Sequence, residues 1–359
     1  MGVHARRLSR ESSVLKVGAL RGAYACTAVA LALAASLIGA AAAPGASSAS
    51  RATTPPTSAE VQEATAQFIA THHIPSPRKL GELGAGVAGT GGIDFGEEAP
   101  VGPDPNAGAL FPDNRVVAFY GAPQLTATII GRKSPKAATV KLRRQARDYA
   151  GGGQRPVIPA FNLISVIATA SPGGDRKYRM RQSDEVIAKY LAQARKIGGR
   201  LVLDIQPGRA KIMPEIRALS QWLAEPDVDV VIDAEWHVGR KGIPGQTLGT
   251  VQARDINRAS KYLQKLIEQK GLPPKLLAIH HFTSKNIRGR GKIAEHADVQ
   301  VTLNFDGIGT RSAKSSIYTD LSSPDLNNGF SLFYRLDAGL MKPRQVLALD
   351  PTVDYVMYQ

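Results

Sequence analysis

Two hydrophobic periods alternate along the chain from residue 115 to its end. Apolar runs of four to eight residues recur eight times: VVAFY (116–120), VIPAFNLI (157–164), LVLDI (201–205), VDVVIDAE (228–235), LLAIHHF (276–282), VQVTLNF (299–305), FSLFY (330–334) and YVMY (355–358). Their length and their β-branched and aromatic content read as buried strands. Between them the period lengthens to that of a helix. In SDEVIAKYLAQARKIGG, Ser183 stands at the cap and Val186, Ile187, Tyr190, Leu191 and Ala194 share a stripe that Gly198-Gly199 ends. TVQARDINRASKYLQKLIEQKG starts near Thr250, aligns Ile256, Ala259, Leu263, Leu266 and Ile267, and stops at Gly271. Trp222 falls on a third stripe with Ile216, Leu219 and Leu223, which assigns it to the core.

Strands that alternate with helices imply parallel strands joined by crossover helices. Eight such units over residues 115–359 predict a single (β/α)8 barrel domain of the usual ~250 residues. An open doubly wound sheet is the alternative, but no glycine-rich phosphate loop follows the first strand. The chain ends on its eighth strand, leaving a gap in the outer ring. The segment SAEVQEATAQFIATHH, with Ser58 as cap and Val61, Ala64, Phe68 and Ile69 on one face, is expected to fill it. Residues 51–114 otherwise read as linker and Gly/Pro-rich strap, and 306–328, with Lys314 and Tyr318, as a candidate lid.

Strand parity then selects the inner face, because alternate side chains point to opposite sides. In the sixth run Val299, Val301, Leu303 and Phe305 belong under helices, so Gln300, Thr302, Asn304 and Asp306 turn inward. The same argument sends Asp204 and Gln206, Asp233 and Glu235, Asn162 and His280 inward, and His281 outward. The first, seventh and eighth runs do not settle by parity. Barrel interiors are normally filled with branched apolar side chains, and catalytic groups sit at the carboxyl ends of the strands. Buried polar groups there cost free energy unless they pair or meet a ligand. Asp204, Asp233 and Glu235 are therefore candidate catalytic groups, with Asn162, Gln206, His280, Asn304 and Asp306 as candidate hydroxyl binders. Trp236 either stacks on a sugar ring or packs beneath the loop WHVGRKGIPGQTLG.

Composition narrows the setting. A basic start (Arg6, Arg7, Arg10, Lys16, Arg21) precedes an uncharged, Ala- and Leu-rich stretch, so residues 1–50 are expected to be a secretory signal, with an uncleaved anchor as the rival. The chain is then expected to be secreted or extracytoplasmic. Cys26 is the only cysteine, which excludes a disulfide framework and a thiolate metal site in a processed form. The formal charge is +15, or +11 without the five basic and one acidic side chains of residues 1–50. Such a surface suits an anionic cell envelope. No basic-aromatic motif points to nucleic acid. No cofactor and no metal is expected, since His280 and His281, adjacent on a strand, face opposite ways.

At VVIDAEW the chain resembles the carbohydrate-active (β/α)8 barrels, especially chitinase-like enzymes, whose fourth strand ends in Asp-x-Glu with the Glu as proton donor. The resemblance implies that Glu235 is the donor and Asp233 the preceding Asp. The family's earlier Asp falls on Val231 and its glycine on Asp229. The chain is also similar to uncharacterised exported barrel proteins, which implies no activity. The expectation is an exported glycoside hydrolase with Glu235 as general acid, Asp233 as its modulator and Asp204 as the second carboxylate. The alternatives are a non-catalytic envelope-glycan-binding protein and a metal-dependent hydrolase using Asp204, Asp233, Glu235 and His280.

Overall fold

Each of the eight apolar runs forms a strand in the computed structural model, which describes residues 108–151 and 155–359. The expected signal, linker and helix at 58–73 lie outside those residues. The strands are β1 (Arg115–Gly121), β2 (Val157–Ala168), β3 (Arg200–Ile205), β4 (Val228–Asp233), β5 (Lys275–His281), β6 (Val299–Phe305), β7 (Asn327–Leu332) and β8 (Tyr355–Tyr358). Each pairs in parallel with its neighbours in chain order, and β1 also pairs with β8, so the sheet closes into an eight-stranded barrel. Closure leaves no open edge among these eight strands, and Arg179–Arg181 adds a short antiparallel strand to the protruding end of β2.

Among the described residues eight α-helical segments lie outside: α1 (Ile129–Arg132), α2 (Pro135–Ala150), α3 (Asp184–Arg195), α4 (Ile212–Ala218), α5 (Ser220–Leu223), α6 (Ala253–Lys270), α7 (Arg311–Leu321) and α8 (Pro343–Val346). In α3 the stripe Ile187, Tyr190, Leu191 and Ala194 is buried, as its spacing requires. Helix α6 starts at Ala253, three residues later than expected, because Val251–Gln252 pairs with Ile287–Arg288 as a short strand. It ends where Gly271, at φ 62°, returns its N–H to the Ile267 carbonyl. The connection from β5 to β6 contains no α-helix. Its sequence, SKNIRGRGKIAEHAD, carries charge and glycine with no apolar stripe to bury, and it forms only 3-10 turns and the short strand. No helix among the described residues is long and apolar enough to cross a membrane.

The stretch 306–328 is not a lid. Its centre is α7, whose Lys314 is buried against Asp337 at 2.6 Å and whose Tyr318 hydroxyl donates to the Pro351 carbonyl at 2.8 Å. Trp222 packs at the edge of the core and donates its indole N–H to Asp184 at 2.8 Å.

The parity argument holds through the barrel. Leu201, Leu203, Ile205, Val230, Ile232, Leu277, Ile279, Val301, Leu303 and Phe305 pack with the helices in one apolar layer. A second cluster fills the interior, with Ala118, Ala160, Val202, Val231, Ala278 and Met357 among its members. The amino-terminal floor is sealed. Leu110 and Phe111 join the interior cluster, and their backbone N–H groups donate to the Gln300 side chain at 2.7 and 3.2 Å. Beside them Arg200 grips Asp229 through two hydrogen bonds, 2.6 and 2.8 Å, and the Leu276 N–H donates to the same carboxylate at 2.9 Å. Arg200 and Asp229 thus satisfy one another, and this end reads as structure. The other end differs.

Candidate functional site

Three neighbouring strands bring Asp204, Asp233 and His280 together at the carboxyl-terminal end. Asp233 and His280 are paired in register across β4 and β5. Asp204 enters from β3, beside a β-bulge in β2 where Ser165 is extruded and donates its hydroxyl to the Asp204 carbonyl at 2.8 Å. Bulges commonly re-aim side chains next to a site. The His280 Nδ1 lies 3.4 Å from Asp204 Oδ2 and 3.8 Å from Asp233 Oδ2. All three side chains are buried, with relative exposures of 0%, 0% and 1%.

None of the four carboxylate oxygens, nor His280 Nδ1, has a partner at full hydrogen-bond geometry; Asn162 near Asp204, and the Gln206 side chain and Glu235 N–H near Asp233, offset the effect of burial only in part. Burial therefore drives both aspartates well above the usual carboxylate range. The Asp233 and Glu235 charges raise Asp204 further, and Asp306 raises both aspartates. Burial pushes His280 down to about 4, so its ring is neutral at pH 7 and the two contacts are not ion pairs. Asp229 and Asp233, four residues apart on one strand face, are thus opposites: one accepts three hydrogen bonds and the other none of full geometry.

Strand β4 ends at Asp233, and residues Ala234–Trp236 form a 3-10 turn. Glu235 reaches the mouth from that turn, where simple alternation no longer applies. It is half-buried, as are Trp236 and Asp306. Burial and the nearby Asp233 and Asp306 charges raise the Glu235 carboxyl, and a hydrogen bond with the Trp236 side chain opposes them. The turn is held from behind. The Gly249 N–H donates to the Glu235 carbonyl at 2.7 Å, and the buried Asn286 amide donates to the Gly249 carbonyl at 3.0 Å. A Cβ on Gly249 would run into the Glu235 carbonyl, so that close approach requires glycine.

The expected hydroxyl binders divide. Gln206 donates to the Tyr120 hydroxyl at 3.0 Å and accepts from the Ala168 N–H at 3.1 Å, so its amide is engaged in the wall. Asn304 donates to the Ser331 hydroxyl at 2.9 Å and Asn162 to the Met357 sulfur at 2.9 Å, and both leave their buried carbonyl oxygens unpartnered. Asp306 accepts from Gln359 at 2.9 Å. His281 is buried on the outward side, as parity requires.

Tyr120, Ser331 and Asn286 were not legible in advance. Tyr120 sits in an Ala-Phe-Tyr run whose aromatic neighbours hide the parity, yet it faces inward with its ring centroid 6.0 Å from that of His280. Ser331 lies on one of the strands parity left open, and Asn286 acts from a different connection altogether. No family model matches the chain, no curated protein matches it, and no solved structure matches it.

Proposed function

We propose that this protein is an exported carbohydrate-active hydrolase that cleaves glycosidic bonds of an envelope or extracellular glycan at the barrel mouth. The observation that carries the reading is the placement of two half-buried carboxylates, Glu235 and Asp306, above a floor of buried acids and beside Trp236. Glycoside hydrolysis uses a pair of carboxyl groups flanking the scissile bond. Glu235 serves as general acid because it is held on a pinned turn and is reachable by substrate. Asp306, the other reachable acid, serves as its partner. Asp204 and Asp233 carry no exposed surface and act from beneath. That burial favours a second reading, a non-catalytic glycan-binding protein that keeps the polar mouth without a competent pair.

Incubation with defined glycans and detection of new reducing ends separates the two. Glu235→Gln keeps the shape but cannot donate a carboxyl proton, so turnover is expected to fall roughly 10²–10⁴-fold with ligand binding retained. Absence of turnover by the unaltered protein, or full activity in the variant, overturns the catalytic reading. The basic surface of the chain supports residence at an anionic envelope. Cell fractionation that finds the protein only in the cytoplasm overturns that part.

A further inference from the structure

We propose that Asp204, Asp233 and His280 bind one divalent transition-metal ion, of the Zn2+ or Mn2+ class, beneath the barrel mouth. One ligand atom from each of the three lies within 4.8 Å of those from the other two. The measured separations of 3.4 and 3.8 Å between His280 Nδ1 and the carboxylate oxygens are close to the spacing of neighbouring ligands around such an ion. Metal–ligand bonds of about 2.0–2.2 Å put adjacent ligands roughly 3.0–3.6 Å apart.

The second observation is independent of the acids. His280 Nδ1 is an unpartnered polar atom on a side chain that is 1% exposed, and it points at both carboxylates. Its other nitrogen, Nε2, lies 3.5 Å from the Asn162 amide nitrogen, while the Asn162 oxygen has no partner. Turning that amide through 180° gives up its N–H bond to the Met357 sulfur and lets its oxygen accept the Nε2–H. The tautomer is then the one whose Nδ1 lone pair faces the aspartates. A ligating histidine usually donates its second N–H to such an outer partner. One ion would thus take up one orphaned atom from each of the three side chains.

The donor set selects the ion class. Ca2+ takes six to eight oxygens, and Mg2+ prefers to keep several waters. One imidazole with two carboxylates suits Zn2+ or Mn2+, and three protein ligands leave a position open. A shared proton is the other way to relieve two buried acids, and it is an outcome of the test. The inference does not depend on glycan cleavage, because binding and turnover are measured separately.

The test uses the full chain, stripped with chelator and titrated with Zn2+, Mn2+, Ca2+ and Mg2+ separately. One Zn2+ or Mn2+ per chain is expected. Asp233→Asn and His280→Gln should weaken binding by more than the roughly 10–100-fold typical of an outer partner, and Asn162→Ala by about that amount. Should a variant fail to fold, pulsed electron paramagnetic resonance of Mn2+ in the unaltered protein decides, since one imidazole nitrogen should couple to the ion. No uptake of Zn2+ or Mn2+, which leaves the shared proton, overturns the proposal. So does binding that Asp233→Asn leaves unchanged, or an all-oxygen shell.

Discussion

Asp229 and Asp233 share the inner face of β4, yet neutralising them should move stability in opposite directions. Asp229 accepts three hydrogen bonds, two from the buried Arg200 and one from the Leu276 N–H. Asp229→Asn keeps the volume but removes the charge that offsets the buried Arg200, and breaking one side of such a pair costs about 3–5 kcal/mol. Asp233 has no hydrogen bond of full geometry on either oxygen, and the nearby Gln206 side chain and Glu235 N–H relieve its burial only in part. The native protein can always relieve that carboxylate by taking up a proton, which bounds the penalty. At about 1.4 kcal/mol per pH unit over the roughly three units between 3.9 and 7, the ceiling is about 4 kcal/mol. Asp233→Asn removes that penalty but leaves a buried amide that recovers only part of its hydrogen bonding, costing about 1–3 kcal/mol. The net gain is then at most about 1–3 kcal/mol. In a chain of this size 1 kcal/mol corresponds to about 2–4 °C in Tm. The Asp229 variant should therefore melt at least about 6 °C lower and the Asp233 variant a few degrees higher. Urea unfolding followed by circular dichroism, at pH 7 with excess chelator, measures both without interference from a bound ion. An Asp233→Asn protein as unstable as Asp229→Asn would refute the division into a structural floor and a strained mouth.

Lys275 is wholly buried and donates to the carbonyls of Glu225 and Val228 at 2.8 Å each, and burial pushes its pKa down to about 8. Between that value and about 10.4 the unfolded chain binds the proton more strongly than the native one, so stability rises with pH. The expected gain from pH 7.5 to 9.5 is about 2 kcal/mol, absent in Lys275→Met, and equal slopes in the two proteins would rule it out. Gly249→Ala should displace the Glu235 turn, shifting Trp236 emission in a Trp222→Phe background while far-ultraviolet dichroism stays unchanged. Where turnover is measurable it should fall roughly 10²-fold, as displacement of a reacting group by about 1 Å does. Unaltered emission and turnover would mean that the hydrogen bond from Gly249 does not position the acid.

Architecture was open to reading from residue order alone, because hydrophobic period is a local property that burial on one face imposes. All eight strands, the α3 stripe, the stop at Gly271 and the inward set Asn162, Asp204, Asp233, His280 and Asn304 follow from that periodicity. Order alone also placed the acids at carboxyl-terminal ends. It could not separate Asp229 from Asp233, since both are inward aspartates on one strand and the difference is an arginine 29 residues away. It misread 306–328, where charge and glycine look like a loop until Asp337 meets Lys314 across 2.6 Å and makes its burial tolerable. It continued β4 to Glu235, whereas the Gly249 N–H takes the Glu235 carbonyl and bends the chain into a turn. It placed Asp204, Asp233 and His280 on separate strands but could not bring them within 4.8 Å, because barrel closure and the Ser165 bulge set that distance. Periodicity decides which way a side chain points; what it meets there is decided by residues far along the chain, which only the closed fold brings together.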